Sequence, residues 1–531
     1  MSASAQTLAP ARPAPLALNP ARFLTPSLSA VIFLFCIAFY VTGAPKILSA
    51  DGDAARHRLT GEYILATGSV PTVDVFSHTM PGQPFVAKEW LAEVLSALAY
   101  RGLGWGGVVL LHAAVVGLAF AVLFWHARIR RAPALLALVV VGAAVAASTV
   151  HWLARPHVWT FLGLVLMLAF LDRWHAGAVG RRWLWLLPIG LALWANLHGG
   201  FVVGLAAIGA YATADVARWL ACDADTAAGA ERRLRALAVP GLLCLAAPAV
   251  HPTGLGALTH VGSFLSGSRF ILDTTAEYKS PNFHDPALRV FLALLLGTAS
   301  AAAVARRRPP LHQLLLVGGF AYLALFSIRN IPLFAIAAAP VLTELLRDLP
   351  PVGGRLAAFS QRLGRFFGRR SAVLEGVDGH SSSLAWPALA LAGLIVVAGW
   401  QLRAGEVPLG AGFDTAVQPV GAVAYLKANP PVGPMFNEMG WGGYLLDQLW
   451  PAQPVFFDGW TDFYGEPLTR EYVKVIQLEP GWQGVLDKYG VRWAIVKSDS
   501  ALGAALGSDG SWTPVYRDDL AVVLVRKSSA P

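Results

Sequence analysis

Residues 105–131 read WGGVVLLHAAVVGLAFAVLFWHARIRR. From Trp105 to Trp125 there is no Asp, Glu, Lys or Arg; then Arg128, Arg130 and Arg131 arrive together. A helix of that length rises about 30 Å, the thickness of the hydrocarbon core of a bilayer. An apolar stretch closed by arginines is the pattern of a membrane-spanning helix meeting its cytoplasmic end.

Outward from this stretch the same pattern recurs. About eleven runs approach spanning length, near 26–44, 105–125, 134–150, 158–171, 184–195, 201–214, 236–250, 287–305, 311–328, 331–346 and 384–402. The chain is 56% hydrophobic and 14% charged, against roughly 25% charged in soluble domains, which excludes an ordinary soluble enzyme. Arg181 and Arg182 follow the fourth run, Arg232, Arg233 and Arg235 the sixth, and Arg306, Arg307 and Arg308 the eighth. Arg355, Arg362, Arg365, Arg369 and Arg370 follow the tenth. Every second loop is therefore basic, which predicts a cytoplasmic N-terminus, and an odd number of spans carries the C-terminal end out of the cytoplasm. The first run is too long for the apolar core of a signal peptide and is expected to stay as an anchor.

The expected fold is an all-α polytopic membrane domain over 26–403 with about eleven transmembrane helices, followed by a small extracytoplasmic α/β domain over 404–531. Residues 1–25, rich in Pro and Ala, are expected to be disordered in the cytoplasm. Over 404–531 there are 14 acidic and 9 basic side chains, a local balance of −5 within a net charge of +9. The remaining +14 sits mostly in loops where basic residues set topology and meet anionic membrane lipids. No basic, aromatic-studded surface is left over, so no nucleic acid is expected as a partner. Cys36, Cys222 and Cys244 fall in a span, a cytoplasmic loop and a span, so no disulfide or Cys-ligated metal is expected in the external domain.

Two loops on the non-cytoplasmic side are long, 46–104 and 251–286. The first reads as a helix over 53–67, a turn at Gly68-Ser69-Val70-Pro71, an extended stretch and an amphipathic helix from Glu89. In the second, 253–270 suits a helix lying in the interface plane. In the C-terminal domain the pattern predicts helices over 420–428, 469–477 and 482–489, and strands over 454–457, 493–496 and 521–525.

Polar and ionisable residues gather on the non-cytoplasmic side. Asp51, Asp53, His57, Glu62 and Glu89 come from the first loop, and Arg155, Asn196 and His198 from span ends. Glu277 and Lys279 lie in the second long loop, and Arg329 and Asn330 at a later span end. Span ends are polar in any case because they meet water and headgroups, but ionisable groups at membrane depth also mark cavities, relays and ligand sites. Asp51-Gly52-Asp53 is a DxD triplet. Cytoplasmic glycosyltransferases use such a triplet to hold a metal on a nucleotide sugar, and nucleotide sugars are scarce on the side predicted here.

The order of a cytoplasmic N-terminus, one span, a long external loop opening on acidic residues, further spans and an external C-terminal domain resembles the C-type glycosyltransferases. These depend on polyprenyl-phosphate sugars and include protein mannosyltransferases and aminoarabinose transferases. Asp51-x-Asp53-x-x-x-His57, Gly61-Glu62, Gly68, Pro71, Asp74-x-Phe76-Ser77, Gly82 and Glu89-Trp90-Leu91 resemble a group of bacterial membrane proteins assigned to that superfamily. Asn196-x-His198-Gly199-Gly200, Ser280-Pro281-Asn282-Phe283 and Asp458-Gly459-x-x-Asp462-x-Tyr464-Gly465 fit the same group. The likeness covers most of the chain from Ser27 onward. Trp441-Gly442-Gly443-Tyr444 followed by Asp458-Gly459 also resembles the acceptor-reading motif of oligosaccharyltransferase catalytic subunits. Two features depart from the group: Ala55 and Arg56 stand where bulky aromatics are expected, and the acidic pair is DxD rather than an adjacent Asp-Glu.

The resemblance implies one-step transfer of a sugar from a polyprenyl-phosphate donor to a glycan, lipid or protein acceptor, outside the cytoplasm, in a bacterial inner membrane. It implies no cofactor and no metal. In that chemistry Asp53 is the expected base, with Asp51 as the alternative and His57 orienting Asp53. Arg155 and Arg329 are the expected phosphate ligands. Glu277, His198 and Glu62 are expected to face sugar or acceptor. Two other readings compete: a lipid-linked glycan flippase, for which the internal repeats and paired mid-membrane charges are not seen, and a non-catalytic scaffold, with which the Ala55-Arg56 departure agrees.

Overall fold

The computed structural model describes residues 25–50, 52–256, 275–350, 357–378 and 385–527, with the single positions 262, 270 and 354. Asp51, nearly all of the N-terminal segment expected to be disordered and most of the expected interface helix at 253–270 lie outside the described residues.

The helices up to the C-terminal domain are α1 (Leu28–Thr42), α2 (Ala44–Ser49), α3 (Asp53–Thr67), α4 (Trp90–Ile129), α5 (Ala134–Ser148), α6 (Val158–His175) and α7 (Leu186–Leu197). They continue as α8 (Val202–Ala221), α9 (Ala224–Ala246), α10 (Arg289–Val304), α11 (Leu311–Phe326), α12 (Ile331–Arg347), α13 (Ala357–Asp378) and α14 (Ala385–Arg403). Every apolar run read from the sequence falls on one of them. Among the described residues, seven helices are long and apolar enough to cross a membrane, and α1 and α11 are shorter apolar helices. α4 is 40 residues long but breaks at Leu103-Gly104, where Gly104 takes φ 57°, ψ −152°, a conformation open essentially to glycine alone. The break separates the amphipathic helix that ends the first loop from the span that follows.

α4 packs against α1, α3, α6 and α12 and forms the spine of the bundle. At one end the arginines of successive loops converge. Arg130 lies 2.8 Å from Asp172 and also reaches Glu344, and Arg128 lies 2.9 Å from Glu375. The Arg347 guanidinium donates to the Arg130 carbonyl at 2.8 Å. The other end carries the first residues of α3, α4, α6 and α12.

The C-terminal domain comprises α15 (Val420–Ala428), β1 (Met435–Asn437), α16 (Gly442–Leu449), α17 (Thr461–Ile476), α18 (Trp482–Lys488), β2 (Trp493–Lys497), α19 (Ala501–Ser508), β3 (Trp512–Arg517) and β4 (Ala521–Arg526). The strands lie in the order β1-β2-β4-β3. β1 runs parallel to β2, with Phe436 beside Ala494, and β4 is antiparallel to both β2 and β3. Its core is shared: Trp493, Phe436, Tyr472 and Leu524 pack together with Leu59, Phe76, Phe85 and Ala87 of the first loop.

The strand expected at 454–457 does not join the sheet. Val455 makes an isolated parallel bridge with Ser77, while the amides of Phe456 and Phe457 donate to the buried Asn437 side chain at 2.9 and 3.3 Å. Those backbone donors are thereby satisfied without a ladder. β1 is only three residues long, and β3 contains Pro514 and a register shift; neither presents the alternation by which a strand is read from sequence.

Candidate active site

Asp53 is the first residue of α3, with Gly52 at the cap, where the helix dipole favours a carboxylate. Its Oδ2 lies 2.6 Å from Nη2 of Arg155, which stands in the turn before α6. Arg155 Nη1 is 3.3 Å from Glu277, and the other oxygen of Glu277 is 3.6 Å from Arg329, just before α12. Arg329 in turn lies over the Tyr278 ring at 5.0 Å. The Ser327 hydroxyl donates to the Glu277 carbonyl at 2.8 Å and fixes this loop against the start of α12. Four residues predicted from four distant segments thus form one chain, Asp53–Arg155–Glu277–Arg329. All four side chains are partly exposed, at 16, 18, 24 and 27%. Burial alone would raise the Glu277 carboxyl, but Arg155 and Arg329 outweigh it and hold it at about 2.

The C-terminal domain closes over Asp53. A Cβ on Gly443, one residue into α16, would collide with the Gly52 carbonyl, and one on Gly459 would lie 3.7 Å from Asp53 Oδ1. Gln418 donates to the Ser49 carbonyl at 3.2 Å, and the Asp414 amide to the Ser49 hydroxyl at 2.7 Å. The Trp441-Gly442-Gly443-Tyr444 stretch therefore serves here as a close-packing surface for the helix that carries Asp53.

Behind this chain lies a second, more buried cluster that sequence reading only partly identified. His57 does not face Asp53. Its Nδ1 is 2.9 Å from Glu93 Oε1 and its Nε2 is 3.6 Å from Glu89 Oε2. Burial, and then the charge of neighbouring Arg56, hold the imidazole well below its usual range, while burial pushes the Glu93 carboxyl up to about 8. His198 Nδ1 accepts from the Gly200 amide at 2.9 Å, which turns Nε2 toward Glu89 Oε1 at 3.4 Å. Trp90 donates to Asn196 at 2.6 Å, so the Glu89-Trp90 and Asn196-x-His198 motifs meet. Arg56, the departure from the group pattern, is 4% exposed, 3.8 Å from Asp458, and stacked over Trp460 at 4.3 Å. Burial pushes the Asp458 carboxyl up, the Arg56 guanidinium draws it back, and it settles at about 6.

Glu62 stands apart, paired with Arg101 at 2.6 Å on an accessible part of α3 and α4. Asp74, in contrast, is structural: it accepts from the amides of Phe76 and Ser77 at 3.0 and 3.2 Å and closes a turn. Asp458 and Asp462 were noted within a motif of the C-terminal domain, whereas Lys88 and Glu93 were not singled out from the sequence. The one available signal was Glu89 and Glu93 at a spacing of four, which places both on one helix face. Among the described residues, His57, Glu89 and Glu93 have ligand atoms within 4.8 Å of one another and offer a nitrogen and two carboxylates to a metal ion.

Together these features define a multi-span membrane protein with an ion-paired site at one end of its bundle, capped by an α/β domain. No family model matches the chain, and no curated protein matches it by sequence. Solved structures do. The oligosaccharyltransferase of Archaeoglobus fulgidus in its apo form superposes with a TM-score of 0.53 at 11% identity, over 88% of this chain and 69% of that one. The same enzyme tethered to an acceptor peptide gives 0.53 at 12%, over 94% and 74%. The oligosaccharyltransferase AglB from Archaeoglobus fulgidus, in complex with an inhibitory peptide and a dolichol-phosphate, gives 0.52 at 12%, over 94% and 75%. At these identities the likeness is one of fold alone: the chain shares the architecture of these oligosaccharyltransferase structures.

Proposed function

We propose that this protein is a membrane glycosyltransferase that moves a sugar from a polyprenyl-phosphate donor to an acceptor hydroxyl or amide on the extracytoplasmic side of a bacterial inner membrane. The observation that carries this reading is the Asp53–Arg155 pair at 2.6 Å, extended through Glu277 to Arg329. It sets a carboxylate base beside two guanidinium groups at the end of apolar helices, where the phosphate of a lipid carrier must lie. AglB, which shares the fold, is seen with an inhibitory peptide and a dolichol-phosphate, and the Archaeoglobus fulgidus oligosaccharyltransferase with a tethered acceptor peptide; a lipid phosphate and an acceptor also suit this arrangement.

The acceptor heteroatom attacks the first carbon of the sugar, the carbon–oxygen bond to the carrier phosphate breaks, and the acceptor proton passes to Asp53. Arg155 and Arg329 present forks of donors to the phosphate oxygens as negative charge develops on them. Glu277 holds the two guanidinium groups at one spacing. A phosphate seated on Arg155 competes with Asp53 for its positive charge and leaves the carboxylate freer to take the proton. The arginines that meet at the opposite end of the bundle support a cytoplasmic position for that end, with the C-terminal domain outside.

Asp53→Asn keeps size and hydrogen bonding but removes the basic oxygen. General bases contribute roughly 10²–10⁴-fold, so reconstituted Asp53→Asn protein is expected to lose transfer by at least about 100-fold while inserting normally. The donor is found by comparing the lipid-linked sugars of a deletion strain with its parent. Near-normal turnover by the variant would place the base elsewhere, and an unchanged lipid-linked pool in the deletion strain would remove the transferase reading.

A further inference from the structure

We propose that His57, Glu89 and Glu93 form a binding site for a divalent cation of the Zn²⁺ type, distinct from the Asp53–Arg155–Glu277–Arg329 chain. All three side chains are at least nine-tenths buried. Glu89 caps α4, Glu93 lies one turn further along, and His57 reaches across from α3. The three ligand atoms fall within 4.8 Å of one another. Ligands of a bound Zn²⁺ sit about 2.0–2.2 Å from the ion, so closure needs only a modest contraction of rotatable glutamates.

A second observation points to a ligand. Glu93 Oε2 is buried and has no hydrogen-bond partner among the described residues, although Oε1 of the same carboxyl is engaged by His57. A buried oxygen left this way is unfavourable unless something completes it. Arg56 lies 3.8 Å from Asp458 and Lys88 3.8 Å from Asp462, both carboxylates of the C-terminal domain. Ionised, as ligation to a metal requires, the two glutamates would match the charge of one dication. One imidazole and two carboxylates suit Zn²⁺ or Mn²⁺ better than Ca²⁺ or Mg²⁺, which prefer all-oxygen shells. Such an ion would tie α3 to α4 and so fix the helix that begins at Asp53.

Full-length protein in detergent, stripped with chelator, is titrated with Co²⁺ alone as a visible-absorption probe, and Zn²⁺ content is measured by mass spectrometry after reloading. The expected result is stoichiometric binding in wild type and in Asp53→Asn, with Zn²⁺ raising the melting temperature of both. Glu93→Gln and His57→Asn are each expected to weaken Co²⁺ binding by at least about tenfold while eluting as monodisperse protein. If one of these two variants fails to fold, the other decides. Absence of Co²⁺ binding by folded wild type overturns the site, and so does retention of the metal in Glu93→Gln with its loss in Asp53→Asn. The readout needs no substrate, so it stands or falls separately from sugar transfer.

Discussion

Arg155 is the side chain on which the candidate site turns, because it touches both Asp53 and Glu277. Arg155→Gln leaves those two carboxylates without the intervening cation and removes the donors proposed to hold the carrier phosphate. Donors of this kind are worth roughly 10²–10³-fold, so transfer is expected to fall by that factor in reconstituted vesicles, with donor KM rising. Arg155→Lys restores the charge but not the fork, and is expected to recover only part of the loss. Full activity in Arg155→Gln would assign the phosphate to other residues. Two carboxyls then set opposite pH dependences. Asp458, at about 6 against 3.8 in an unfolded chain, binds its proton more tightly when folded. Its contribution is therefore complete below about pH 4 and is lost as pH rises through 6. Glu277, at about 2 against 4.5, contributes above pH 4.5 and fades as pH falls through 2. Between pH 4 and 6, Asp458→Asn is expected to flatten the fall of melting temperature with rising pH. Superimposable profiles would show that Asp458 does not control it.

Among the elements, α3 is placed by glycines on its partners as much as by its own sequence. The α16 backbone comes so close at Gly443 that a methyl group there would strike the Gly52 carbonyl, whereas Gly440 faces open space. Overpacking of this kind costs about 1–3 kcal/mol. Gly443→Ala is therefore expected to lower both melting temperature and transfer, since the displaced backbone is that of the residue before Asp53. Gly440→Ala serves as the control and is expected to change neither. Equal behaviour of the two variants would mean that the α3–α16 contact is not needed to position Asp53. Phe85 is 3% exposed and carries the first loop into the C-terminal core. Phe85→Ala is expected to destabilise by about 3–5 kcal/mol, measured by chemical denaturation of the detergent-solubilised protein.

Across the whole molecule, one end of the bundle collects Arg128, Arg130, Arg347 and their carboxylate partners, while the other holds Asp53, Arg155 and Arg329 beneath the α/β domain. With the basic end in the cytoplasm, a reporter active only in the cytoplasm and fused after Pro531 is expected to stay silent, and one active only outside to give signal. Strong cytoplasmic signal would move the entire site to the other face and deprive it of an extracytoplasmic lipid-linked donor. The shared core of the first loop and the C-terminal domain makes this sidedness common to both: they cross together or not at all.

The membrane character, the helices behind each apolar run, the break before Trp105 and the helix over 53–67 were all legible in the sequence. Each depends on local hydrophobicity, on charge at helix ends or on a glycine, as with the left-handed Gly68 that ends α3. Asp53, Arg155, Glu277 and Arg329 stood out in the sequence as part of the polar gathering on the predicted non-cytoplasmic side, and the structure brings the four together. Their pairings were not legible there. His57 was expected to orient Asp53, yet burial under α4 gave it to Glu93 and Glu89, and Glu62 went to Arg101 on the surface. A glutamate on an amphipathic helix reads as solvated until another helix covers it, which is why Glu93 escaped notice. Arg56 read as a departure from pattern because its compensation, Asp458 and Trp460, lies some four hundred residues along the chain. Which charges meet is decided by packing between distant segments, and only the tertiary structure carries that information.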